Sequence, residues 1–159
     1  MNLLALDLGS TTGYAILHND NICSGTRNFK QVRLANGGLR FLQFRNWLID
    51  VIQKYETENV FYEDVKRHLG TDAAHVYGGY LSHLAVVCEE FQIPYMGLPV
   101  GSIKKAAAEK GNATKDEMIS AAEARGFKPC DHNEADALAI LLLAIRKLNM
   151  ELKGKATCK

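Results

Sequence analysis

Cysteine is sparse and scattered. Cys23, Cys88, Cys130 and Cys158 stand far apart with no C-x-x-C pair, which argues against both a zinc ribbon and a disulfide framework. Proline is scarcer, three in the chain beside thirteen glycines, and with 47% hydrophobic and 23% charged residues the composition has no collagen-like or disordered bias. Long hydrophobic runs are missing too: the longest, residues 137–145, falls well short of the roughly 20 residues that cross a bilayer. Nothing after Met1 combines basic residues, an apolar stretch and a small-residue cleavage site. The expectation is a protein of the reducing cytoplasm, without a membrane partner. Nor does one sign of charge dominate, since 19 Lys and Arg face 18 Asp and Glu for a net +1. Any affinity for nucleic acid must therefore rest on local clusters.

What is present suits one globular domain, expected over residues 1–148, with a polar, basic and frayed tail over 149–159. Basic clusters do exist. Arg27, Lys30, Arg33, Arg40 and Arg45 follow one another with no acid between, and Lys104, Lys105, Lys110 and Lys115 face only Glu109. Such runs are usually solvated faces, so alone they decide little.

The order of elements reads β-β-β-α-β-α-β followed by helices. Residues 3–8 form a short apolar run closed by Gly9, and 14–17 and 22–29 alternate around an Asn19-Asp20-Asn21 turn. Phe41, Phe44, Leu48, Val51 and Tyr55 step by three and four, which puts them on one helix face. Residues 59–62 read as a central strand ending in Glu63 and Asp64, 73–91 as a second helix and 94–98 as a fifth strand. Ser102 is a candidate cap for a short helix stopping at Gly111. Thr114 with Glu117, and Asp131 with Glu134, have capping-box spacing for two more helices, the last ending near Leu148.

Three acids stand out. Asp7 closes a buried strand and precedes Gly9-Ser10-Thr11-Thr12-Gly13, whose glycines allow tight turns and whose hydroxyls, Thr11 and Thr12 included, can approach a phosphate. The segment equally resembles the phosphate loop of actin-like ATPases, and an acid that merely caps a turn is the plainer reading. Glu63 falls on a strand expected beside the first, with Asp64 as the competing choice, because adjacent strand side chains point to opposite faces. Asp136 is the one charged residue among 135–145, so its helix must be largely buried and its carboxylate needs a partner, either a basic side chain or a metal. Acids from a first strand, a middle strand and a last helix make the set that two-metal phosphodiesterases use: one magnesium activates water while another steadies the leaving oxygen.

In order and spacing, Asp7-Leu8-Gly9-Ser10-Thr11-Thr12-Gly13-Tyr14, Tyr62-Glu63, Ser102-Ile103-Lys104, Lys110-Gly111-Asn112-Ala113-Thr114-Lys115 and Ala135-Asp136-Ala137-Leu138-Ala139-Ile140 resemble RuvC-type Holliday-junction resolvases of the RNase H-like superfamily. The resemblance implies an α/β fold with a mixed five-stranded sheet flanked by helices. It implies that Asp7, Glu63 and Asp136 bind two Mg2+ ions, with Mn2+ able to substitute, and that Lys104 and Lys115 are essential cations near the scissile phosphate. Branched DNA, four-way junctions above all, is the implied substrate. Symmetric nicks with 5′-phosphate and 3′-hydroxyl ends are the implied products, and a two-fold homodimer is the economical assembly, with helix 73–91 as the candidate interface. Lys66, Arg67, Lys105, Lys110, Thr11 and Thr12 complete the expected DNA contacts. Compactness beside bacterial relatives points to a phage-borne version, acting in the host cytoplasm.

Two departures qualify the resemblance. Where such resolvases place an Asp or His one turn before the last acid, this chain has Asn133, a neutral and weaker magnesium ligand; Asp131, His132 and Glu134 are alternative fourth ligands. Where bacterial relatives carry a base-stacking aromatic three residues after the middle acid, this chain has Lys66. Phosphate contact suits that position better, leaving Tyr77 or Tyr80 as a possible wedge. The rival readings are an actin-fold ATP-binding protein, a resolvase-like RNA-processing nuclease, and a junction binder that cuts poorly because of Asn133.

Overall fold

The computed structural model describes residues 1–30 and 37–156, with side chains as far as Asn149; Arg33 lies outside the described residues. The chain opens as a meander of β1 (Leu3–Asp7), β2 (Thr11–His18) and β3 (Asn21–Asn28), then runs through α1 (Leu39–Lys54), β4 (Asn59–Asp64), α2 (Thr71–Glu90) and β5 (Tyr95–Pro99). Three helices finish it: α3 (Val100–Ala108), α4 (Lys115–Glu123) and α5 (His132–Ala156). The sheet order is β3-β2-β1-β4-β5. β1 pairs antiparallel with β2 and parallel with β4, and β4 pairs parallel with β5, so the sheet is mixed as expected.

Alternation along β1 divides the core. Leu3 and Ala5 face one layer with Ala15, Leu17 and Phe61 under α3, α4 and α5; Leu4 and Leu6 face the other with Ile16 and Val60 under α1 and α2. This parity places Asp7 on the α5 face, two residues beyond Ala5, and Glu63 on the same face, two beyond Phe61. Asp64 falls with Val60 and Tyr62 on the opposite face. Phe44, Leu48 and Val51 of α1 are buried as their spacing requires.

Several elements differ from the sequence reading. β2 begins at Thr11, because Thr11 and Thr12 pair with Asn28 and Arg27 of β3; the glycine and hydroxyl segment is therefore mostly strand. Ser102 caps nothing. It lies inside α3, whose N-cap is Pro99, with φ already fixed at −62°. That helix stops at Ala108 with Glu109 in the left-handed region, before Gly111. At α4 the Thr114–Glu117 capping box is present in both halves. α5 continues past Leu148 to Ala156, through the good helix formers Met150, Glu151, Leu152 and Lys153, where a frayed tail was expected. Tyr77 and Tyr80 are core residues: Tyr80 is fully buried against Phe41 and Phe44, so neither ring is free to act as a wedge.

Candidate active site

Asp7 ends β1, Glu63 stands next to last in β4, and Asp136 sits in the second turn of α5, which lies across β1 and β2. Burial pushes the Asp7 carboxyl well up, and the charges of Glu63, Asp136 and Asp131 push it further against a smaller opposing pull from Lys115. Glu63 rises to about 7 through burial and then through Asp136, with Lys104 opposing. The Asp136 carboxyl is raised by burial, which His132, Lys104 and Lys115 partly offset. The three acids thus share one electrostatic neighbourhood, and the two cations beside them are Lys104 and Lys115. Asp136 has no ion pair among the described residues, so the plain partner for this acid, a basic side chain, is not found.

The first turn of α5 is held onto the sheet by three devices. Gly13 of β2 meets the helix so closely that a Cβ there would stand 1.9 Å from the Asn133 carbonyl oxygen. Thr26 of β3 donates to Asp131 Oδ1 at 2.9 Å, the same atom that caps Glu134 N–H at 2.9 Å. Ser24 donates to the buried Glu134 carboxylate at 2.7 Å, and its other oxygen takes Cys130 N–H at 2.8 Å. Burial works against ionisation of Asp131, but hydrogen bonds from Glu134 N–H and Thr26, with His132 and Asn133 nearby, hold its carboxyl below the usual range. Asp131 and Glu134 are structural in this arrangement, a cap and a strand clamp. Glu134 reaches back to Cys130 rather than to the Asp131 N–H, so the expected box is only half formed. Asn133 stands in the first turn of α5, and His132 Nε2 lies 3.1 Å from Lys115 Nζ.

The remaining expected contacts divide. Lys115 is the first residue of α4, where free amides and the helix dipole also favour an anion. Lys66 is 80% exposed and pairs with Asp64 at 2.5 Å, which ties up the competing acid on the far face. Arg67 and Lys105 are exposed, Thr11 is half-buried, and Lys110 pairs with Glu117. Thr12 is a correction: it is fully buried and its hydroxyl donates to the Gly9 carbonyl at 2.6 Å, so its side chain cannot meet DNA. Its parity with Tyr14 and Ile16 turns it into the core.

Three structural features at or near the candidate site escaped the sequence reading. Gly13 acts by admitting a helix, as an isolated glycine inside a strand pattern can signal. Leu69 is 111% exposed on the loop after β4, beside Lys66 and Arg67, and no periodicity marks it. Tyr77, read as a core or wedge residue, also donates its hydroxyl to the Glu63 carbonyl at 2.7 Å.

The donor chemistry suits a hard divalent cation: three carboxylates, all oxygen, each made harder to ionise by burial, with neighbouring acids adding to this at Asp7 and Glu63. Among the described residues no three acidic, histidine or cysteine side chains already form a metal-holding group.

Neither a protein-family model nor a curated protein matches this sequence. Solved structures do. RuvC of Thermus thermophilus is similar over 95% of this chain and 97% of its own, with TM-score 0.76 and 20% identity. The same organism's RuvC in complex with Holliday junction substrate gives 0.72 at 22% identity, over 88% and 90% of the two chains. The yeast mitochondrial Holliday junction resolvase Ydc2 gives 0.59 at 12% identity, over 87% and 75%. These likenesses establish that the chain has the RuvC-type, RNase H-like fold.

Proposed function

We propose that this chain is a structure-selective endonuclease that cuts branched DNA, four-way junctions first, in a reaction dependent on divalent cations. The observation that carries the reading is the convergence of Asp7, Glu63 and Asp136, from two strands and a helix, on one face beside Lys104 and Lys115. Solved proteins of the same fold include one bound to a Holliday junction, which supports the choice of substrate.

Asp7, Glu63 and Asp136 would hold the cations, Mg2+ by preference with Mn2+ as substitute, and Asn133 would add a neutral oxygen at the rim. The bound cations supply activation of water and charge for the leaving oxygen. The protein's own groups do the rest. Lys115, at a helix N-terminus, and Lys104 would hold the scissile phosphate against the acids, and their positive charge would offset negative charge building up on it. Lys105, Lys66 and Arg67 would hold the flanking backbone, with Lys110 joining them once released from Glu117, and Leu69 would lie against bases at the branch. Half-buried Thr11, on the α5 face by strand parity, would contact the same DNA backbone.

A homodimer would place two such sites on the two equivalent strands of a junction. Support comes from Leu42 and Val86, 53% and 49% exposed on the neighbouring helices α1 and α2. Among the described residues no helix is long and apolar enough to cross a membrane.

Incubation with a synthetic four-way junction, a linear duplex and a structured RNA, each with Mg2+ or with chelator, tests the proposal. Nicking of the junction alone, and only with the cation, is expected. Preference for the RNA would replace the substrate, and ATP binding without any cutting would replace the reading altogether.

A further inference from the structure

We infer that Tyr77 is a positioning residue that locks the exposed loop at 65–70 to the strand end carrying Glu63, so that the loop's grip on DNA fixes where the phosphate lies relative to that acid. The inference rests on the nuclease reading above. Ladder pairing of β4 with β1 ends at Tyr62, opposite Leu6. One residue later the Tyr77 hydroxyl takes over. It donates to the Glu63 carbonyl at 2.7 Å and accepts the Val65 N–H at 3.3 Å, closing a clasp around Asp64 from the second turn of α2. Its ring is buried.

The same ring is the floor of the loop. The His68 imidazole packs on Tyr77 with centroids 4.8 Å apart. Immediately around it the loop turns Lys66, Arg67 and fully exposed Leu69 outward, two cations suited to phosphate and one apolar side chain suited to a base face. One buried residue therefore touches both the backbone of Glu63 and the underside of the loop. A phenylalanine at this position would fill the same core space and leave the Glu63 carbonyl and the Val65 N–H without this partner.

The test is Tyr77→Phe in the full chain, read in four ways. Expected are at least tenfold faster amide exchange at Val65, several-fold weaker Mn2+ binding by calorimetry without DNA, and cleavage at saturating Mg2+ slowed tenfold or more with cuts spread over neighbouring phosphates. Junction binding in calcium should change less than twofold, because cations on the loop rather than the clasp supply it. Wild-type cation affinity, rate and cut position in Tyr77→Phe would overturn the inference. If that variant does not fold, His68→Ala decides: spread cuts with wild-type Mn2+ affinity support the clasp, and wild-type cut positions overturn it. A wild-type chain that cuts no branched DNA would sink the nuclease reading instead, while amide exchange and Mn2+ binding would still report whether Tyr77 holds Glu63.

Discussion

Replacing Gly13 with alanine changes one methyl group, and the structure says where that methyl goes. It would lie 1.9 Å from the Asn133 carbonyl oxygen, 2.4 Å from its carbon and 3.1 Å from the Glu134 nitrogen. These are backbone atoms at the start of α5, so no rotamer change relieves the overlap. Gly13 is not among the residues with positive φ, and alanine suits its backbone, so the variant isolates the contact. Restoring an ordinary separation of 3.4 Å from 1.9 Å moves the helix start by about 1.5 Å. Asp136, one turn along the same rigid element, moves with it. The displacement also strains the Thr26–Asp131 and Ser24–Glu134 bonds. Overpacking of this kind costs about 1–3 kcal/mol, with the unyielding backbone favouring the upper end, and about 2–4 °C of Tm per kcal/mol is expected at this size. A shift near 1 Å in a catalytic group is associated with roughly 10²-fold loss of rate. Thermal unfolding and single-turnover cleavage of a four-way junction measure both effects. A Gly13→Ala chain with wild-type Tm and wild-type rate would refute the claim that close approach of α5 sets the site.

The raised carboxyls give a pH signature. Glu63 titrates at about 7 in the fold against an ordinary 4.5, so between those values the folded state keeps a proton that the unfolded chain has lost. Metal-free stability is then highest below about 4.5 and falls as pH rises to about 7, by at most about 3 kcal/mol from this group. Asp7 and Asp136 act in the same direction. Tm measured against pH in chelator should fall over this window, Mg2+ should restore it most at the alkaline end, and Glu63→Gln should flatten the curve; a metal-free Tm that rises from pH 5 to 7 contradicts the assignment. For Asn133→Asp, a charged oxygen replaces a neutral one and stands two residues from the Asp131 carboxylate, which it repels. The expected result is a several-fold lower Mg2+ requirement for cutting together with a slightly lower metal-free Tm, and an unchanged Mg2+ titration would exclude residue 133 as a ligand.

The sheet and its flanking helices were legible because their signals are local. The apolar runs of β1 and β4, the three-four spacing in α1 and the Thr114 capping box are each complete within a few residues. Asp7, Glu63 and Asp136 were legible because an acid closing an apolar strand, or alone in an apolar helix, stands out against its surroundings. Choosing Glu63 over Asp64 needed the parity of Phe61 and Tyr62, which only the two core layers fix. Contacts made across the fold were not legible. Nothing near Gly13 in the sequence announces Asn133, nothing near Ser24 announces Glu134, and the Tyr77 hydroxyl meets Glu63 only once α2 has packed on the sheet. Thr12 was misjudged for the same reason: a hydroxyl beside glycines suggests a phosphate loop, whereas strand pairing with Arg27 buries it.

Asp7 gives the most direct test of the shared carboxylate site. Wild-type and Asp7→Asn chains should be compared on one four-way junction with Mg2+, with binding measured in parallel. Two symmetric nicks from the wild type and none from Asp7→Asn, at equal junction affinity, is the outcome the shared carboxylate site requires. Equal nicking by both would show that this acid holds no part of the reaction.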